Sequence, residues 1–172
     1  MELDKSGSPG KTGPEIWVRR LVAGEEIDIA ICSPAPWPIW THWCGNHSEP
    51  CYTPHEQCPG HRRGYPRRWK GYLAIVNHTA RRLEFLEITA KAADSLKELA
   101  GEGNSLRGLR VKARRGKGDK ARLAFSSLPE WSQYTQAKLP ADVDPEKTLV
   151  RLWGMDDVSE EADCRPVVPF AS

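Results

Sequence analysis

The 172-residue sequence has no apolar run approaching the ~20 residues that would span a bilayer. Its first residues, MELDKSGSPGKTGP, lack the apolar core of a secretory signal and read as a flexible leader over 1–14. A chain with neither span nor signal is expected in the cytoplasm, associated with the nucleoid. Aliphatic runs are short, so the expected core is modest. Enzymatic motifs are missing as well. His55-Glu56 does not extend to HExxH, because position 59 is Pro; Pro54 and Pro59 also forbid the helix that motif needs. Pro50-Cys51 is followed by Tyr, Thr and Pro, so the deaminase pattern fails. No nucleophile elbow and no phosphate-cradling glycine loop occurs. These absences leave a binding function rather than an enzymatic one as the expectation.

What the chain does hold is concentrated in residues 41–71, THWCGNHSEPCYTPHEQCPGHRRGYPRRWKG. Seven Cys and His residues fall between His42 and His61. The segment is too rich in Pro and Gly to suggest a helix. An odd number of cysteines, clustered with histidines in a reducing compartment, favours a metal over disulfides. Cys51, Cys58 and His61 form C-x6-C-x2-H, and Cys58-Pro-Gly-His61 resembles a zinc knuckle, whose tight turn aims two ligands into one tetrahedron. The fourth ligand is either His42, at the end of a strand, or Cys44, which continues the six-residue spacing; His47 and His55 are weaker choices. A closed, structural Zn2+ is expected. Cys32 is expected in the core and Cys164 as a free thiol.

Net charge is only +2, yet the cations are unevenly placed. Arg62, Arg63, Arg67, Arg68 and Lys70 follow the ligand cluster without an acid among them. Arg107, Arg110, Lys112, Arg114, Arg115, Lys117, Lys120 and Arg122 face a single acid, Asp119. Crowded cations repel one another, so a visiting polyanion is the expected partner. Trp37, Trp40, Trp43, Tyr52, Tyr65, Trp69 and Tyr72 lie in or beside the metal segment. Cations beside aromatic rings are how single strands are held, each stacked base being worth roughly 1–3 kcal/mol. Single-stranded DNA or RNA, held with little base specificity, is therefore the expected ligand. Trp40, Trp43 and Trp69 are the expected platforms, although core packing is also expected to bury some of the tryptophans, Trp17 and Trp69 among them.

Strands are expected over 15–24, 26–33, 71–77, 82–89, 106–115 and 121–128. Ile27, Ile29 and Ile31 alternate with Asp28 and Ala30. Leu109, Val111 and Ala113 alternate with Arg110, Lys112 and Arg114, which are expected to face solvent. A helix over 90–100 is expected, capped by Thr89, ended by Gly101 and burying Ala92, Ala93, Leu96 and Leu99. A second helix is expected from Asp144 to Gly154. The order implies a mainly β domain over 15–138: an OB-like five-stranded Greek-key barrel, with the helix between its third and fourth strands and the metal segment as an insertion. No element looks like a major-groove reading helix.

From Pro140 to Cys164 eight acids outnumber two bases, and RPVVPFAS follows. This acidic 139–172 segment resembles the tail of bacterial single-stranded-DNA-binding proteins, which implies a protein partner. Ala171 and Ser172 after Phe170, and the intervening Arg165, depart from that pattern. The chain as a whole loosely resembles the zinc-containing single-strand-binding proteins of phage and mobile elements. An adaptor subunit of a nucleoprotein complex and a zinc-dependent nuclease are the alternatives.

Overall fold

The computed structural model of the chain describes residues 17–45, 48–118, 120–128, 139–141, 143, 148 and 165–166. The expected leader, the 144–154 helix apart from Thr148, Cys164 and most of the acidic segment lie outside these residues.

The fold is mainly β. Strand β1 (Trp17–Arg19) precedes β2 (Glu26–Ile31). Ile27, Ile29 and Ile31 are buried, as their alternation predicts. Pro34 and Pro36 then deprive the backbone of donors, and the ladder breaks. The chain nevertheless stays beside the same neighbour. Ile31 pairs with Ile75 before the break and Trp37 with Tyr72 after it, while Cys32 and Ser33 both donate to the Ala74 carbonyl. Strand β3 (Trp37–Trp43) is thus a bent continuation of β2 despite its internal Pro38. It turns at Gly45 into β4 (Ser48–Pro50).

The metal segment continues with β5 (Tyr52–Thr53), a 3-10 turn (His55–Gln57) and a one-turn helix, α1 (Pro59–Arg62). Helical structure was not expected here. Pro59 makes it possible, because proline suits the first helical position. Strand β6 (Arg67–Asn77) begins four residues earlier than expected and pairs along its length with β7 (Arg82–Thr89). Helix α2 (Ala90–Ala100) follows, with Thr89 Oγ1 accepting from the Ala92 amide. Ala92, Ala93 and Leu96 are buried, but Leu99 is exposed. Strands β8 (Arg110–Arg115) and β9 (Leu123–Ser127) form the last hairpin. Arg165–Pro166 forms β10, paired with β5.

The main sheet runs β1-β7-β6-β2-β8-β9, with β3 on the first half of β6 and β4 outside β3. Only β1 against β7 is parallel among the described pairings. One face of β6 and β7 (Leu73, Ile75, Leu86, Ile88) packs with β2 and α2. The opposite face (Tyr72, Ala74, Phe85) is covered by Trp37, Leu139 and Val143, while Arg107 donates to the Pro140 carbonyl. Cys32 lies in this second cluster, as expected of a core thiol.

The expected barrel does not close: among the described residues no ladder joins β7 to β9. The outer edge of β7 is taken by β1, but only over Glu84–Leu86. Beyond β1, Glu87, Ile88 and Thr89 face a cleft rather than a strand.

Candidate functional site

Two features stand side by side: a cluster of metal-type ligands and a basic cleft. His42 sits in β3 between β4 and β6, opposite Glu49 and Arg67. Its Nδ1 lies 2.9 Å from the Tyr65 carbonyl oxygen. A carbonyl only accepts, so Nδ1 carries the proton and Nε2 is left as a donor of electrons. That Nε2 lies 3.4 Å from Cys58 Sγ, and His61 Nδ1 lies 3.6 Å from Cys51 Sγ. All four ligand atoms fall within 4.8 Å of one another. In a tetrahedron with bonds of about 2.3 Å to sulfur and about 2.0 Å to nitrogen, S and N stand about 3.5 Å apart. His42, Cys51, Cys58 and His61 could therefore hold a metal ion.

Local structure supports each ligand. The Cys51 amide donates to the Trp40 carbonyl, fixing the loop to β3. The Tyr52 amide points at Cys58 Sγ, 3.5 Å away. Helix α1 places His61 one turn after Cys58, whose carbonyl accepts from the Arg62 amide. Gly60 packs against the His42 ring, and no side chain would fit there. His55 stacks on His61 at 4.1 Å between centroids, a supporting contact rather than ligation. Burial pushes the Cys51 thiol up to about 11, and the adjacent Cys58 adds to the shift. Burial, with His55 and His42 nearby, lowers the pKa of His61, which favours the neutral form that binds metals. A bound cation would reverse the effect on the thiols.

Cys44 is not part of this group. It lies past the end of β3, in the turn to β4, and its Sγ points at the His42 carbonyl. Of the two candidates His42 and Cys44, the structure groups His42 with Cys51, Cys58 and His61.

The cleft has a volume of ≈ 740 Å³ and lies where the barrel would have closed. On one side stand β6 (Arg68, Trp69, Lys70), the end of β7, and the β3–β4 hairpin (Trp43, Ser48). On the other stand Arg115 and residues 121–125, with Lys91 and Ser95 contributed by α2. Six cations (Arg20, Arg68, Lys70, Lys91, Arg115, Arg122) line it against one carboxylate, Glu87. Glu87 is already held by Arg20 at 3.0 Å, Lys70 at 2.7 Å and the Tyr72 hydroxyl at 3.1 Å. Burial would raise its pKa, but Arg20 and Lys70 win and keep it lowered. Lys70 also donates to Ser48 Oγ, tying β6 to the hairpin. Arg115 donates to the Leu21 carbonyl. Arg68, Lys91 and Arg122 show no hydrogen bond or ion pair to another side chain among the described residues.

The structure sorts the expected cations. Arg68 and Lys70 from the first run meet Arg115 and Arg122 from the second. Arg67 lies over the Trp40 ring, 4.8 Å from its centroid. Arg62, Arg63, Arg114, Lys117 and Lys120 are exposed outside the cleft. Arg110 does not face solvent: it is buried, with Nη1 3.2 Å from His78 Nε2. Lys112 is matched by Glu26 and Asp28, and Arg107 donates to the Cys32 carbonyl. Cross-strand carboxylates and carbonyls thus absorb much of the repulsion anticipated for the second run. Of the tryptophans, Trp43 and Trp69 line the cleft, Trp40 adjoins Trp69 across the ladder, and Trp17 is 46% exposed rather than buried. Arg20, Lys91 and Phe125 were not anticipated; each is a single residue in an otherwise ordinary strand or helix pattern. The sequence signal that could have found Lys91 is its place in the first turn after the Thr89 cap.

Among the described residues no helix is long and apolar enough to cross a membrane. No protein-family model matches the chain, and no curated protein or solved structure matches it either.

Proposed function

We propose that this protein binds single-stranded nucleic acid with little base specificity, in the cleft between β6/β7 and β9, beside a structural zinc site. The observation that carries this reading is the lining of the cleft: six cations against one already neutralised carboxylate, together with Trp43, Trp69 and Phe125. Cations track phosphates and indole faces stack bases. The cleft volume falls in the roughly 300–1,000 Å³ range of ligand sites, which suits extruded nucleotides better than the side of a duplex.

Zinc is the metal that best suits two thiolates and two imidazoles at tetrahedral spacing. Four protein ligands leave no open position, so the ion serves as a staple and the protein is read as a binder rather than a nuclease. An OB-like architecture also fits: two hairpins flank α2, and β2 bonds to the first strand of each. The opening of that unfinished barrel is the binding groove. In this reading the acidic C-terminal segment serves a protein partner, and the protein works in the cytoplasm at the nucleoid.

The test is quenching of tryptophan emission by single-stranded and duplex oligonucleotides, with metal content measured on the same sample. The expected result is saturable quenching by single strands, weaker quenching by duplex, and one zinc per chain. Absence of single-strand binding at low salt overturns the reading and leaves the adaptor role. Metal-dependent strand cleavage would establish a nuclease instead.

A further inference from the structure

Beyond the cleft, a second cavity of ≈ 300 Å³ is lined by Trp40, Trp69, Ala90, Ala93, Asp94 and Lys97. Trp69 borders both cavities, so the two share one indole. Its position follows from Gly71: a Cβ there would stand 2.7 Å from the ring edge of Trp69 and 3.0 Å from Pro36. Trp40 sits directly opposite Trp69 on the paired strand, and the Arg67 guanidinium covers part of Trp40. Ala90 and Ala93 of α2 are small, which leaves the slot open beside the helix.

We infer that this slot is a second stacking subsite, taking a neutral, flat nucleobase from the same strand that occupies the basic cleft. The inference rests on the function proposed above and extends it by one recognition element. Two tryptophans and two alanines make the slot apolar and aromatic. Asp94 at its rim repels a phosphate but accepts from the ring N–H or amino group of a base. Lys97, also at the rim, and Arg67 supply cations for the phosphates that flank that base. The strand therefore passes over Trp69, with bases on both sides of it.

The test compares oligothymidylates of stepwise increasing length on wild type and on Ala90→Trp, by anisotropy of labelled strands. Ala90 is exposed at the start of α2, so a large side chain fills the slot without entering the core. Wild-type affinity should rise in two stages with length. Ala90→Trp should bind the shortest binding oligomer as wild type does and lose roughly tenfold or more on the long ones, the share of one stacked base. That unchanged short-oligomer affinity also shows that the variant is folded. Equal binding of long oligomers by both proteins overturns the second subsite and leaves the first intact. Failure of wild type to bind any length overturns both.

Discussion

Gly60 and His42 touch without a gap: a Cβ on Gly60 would overlap Cγ and Cδ2 of the imidazole. The backbone there is ordinary, so the requirement is for space rather than for an unusual torsion. Gly60→Ala must therefore push the His42 ring away from Cys58 or displace α1. The expected outcome is a roughly 10–100-fold loss of metal affinity, the range for disturbed supporting contacts. Competition with a chromophoric chelator measures it. Wild-type affinity in Gly60→Ala would refute the close contact.

Only four of the Cys and His residues should matter for ligation. Cys51→Ser, Cys58→Ser, His42→Ala and His61→Ala should each abolish stoichiometric metal binding. Cys44→Ser should retain it, since that thiol lies outside the cluster. Elemental analysis of the purified variants decides the point. Loss of metal from Cys44→Ser would restore it as a ligand.

Metal removal should open the cleft from one side. Trp43 follows His42 directly in sequence, and Ser48, three residues before Cys51, holds Lys70. Chelation should therefore weaken single-strand binding by about tenfold, the share of one lost stacking platform. By linkage, a saturating oligonucleotide should tighten metal binding by the same factor. Isothermal titration in both orders checks the equality. Unequal factors, or no coupling, would separate the two features.

The cleft cations should report individually through salt dependence. Replacing Arg68, Lys91 or Arg122 by Ala should lower the slope of log affinity against log salt by about 0.7 each, one phosphate contact apiece. Lys112→Ala should leave the slope unchanged, because Glu26 and Asp28 already answer that charge. A slope change at Lys112 without one at Arg68 would move the interface to the outer face of β8.

Acid sensitivity should trace partly to Glu84. It is fully buried, donated to by Arg19 at 3.0 Å, Asn77 at 2.9 Å and Arg82 at 2.6 Å. Burial alone would raise its pKa, but those donors prevail and lower it. A lowered folded-state pKa gives stability that is complete above the unfolded value of about 4.3 and is lost as pH falls through the folded value. Glu84→Gln removes the charge that answers Arg82 and leaves Arg19 with Glu25 alone, and should cost roughly 1–3 kcal/mol at neutral pH, the cost of weakening hydrogen bonds to a buried charged group. The gap between variant and wild type should narrow on acidification below about pH 4. Urea unfolding across that range measures it; a gap independent of pH would mean that the carboxylate's charge contributes nothing.

The local elements were legible because their causes are local. The Ile27–Ile31 alternation, the Thr89 cap and Gly101 each act within a turn or two of chain. The candidate ligand cluster was legible down to one ambiguity, because spacing brings Cys58 and His61 together but says nothing about which upstream residue faces them. The structure groups His42 with them, its Nδ1 set by the Tyr65 carbonyl 23 residues away. Strand β3 was hidden because its prolines signal an end, while its neighbour β6 supplies the pairing that continues it.

By itself, the sequence determined a mainly β chain with clustered metal-type ligands, rings and cations, since composition and short-range periodicity carry that much. Only the tertiary structure decided which cations remain available, because neutralisation happens across strands distant in the chain. Lys112 lost its expected place that way and Arg110 by burial beside His78, while Lys91 gained one. It also decided that β7 and β9 stay apart: β1 takes part of the edge closure would have used, and the gap left over is the cleft.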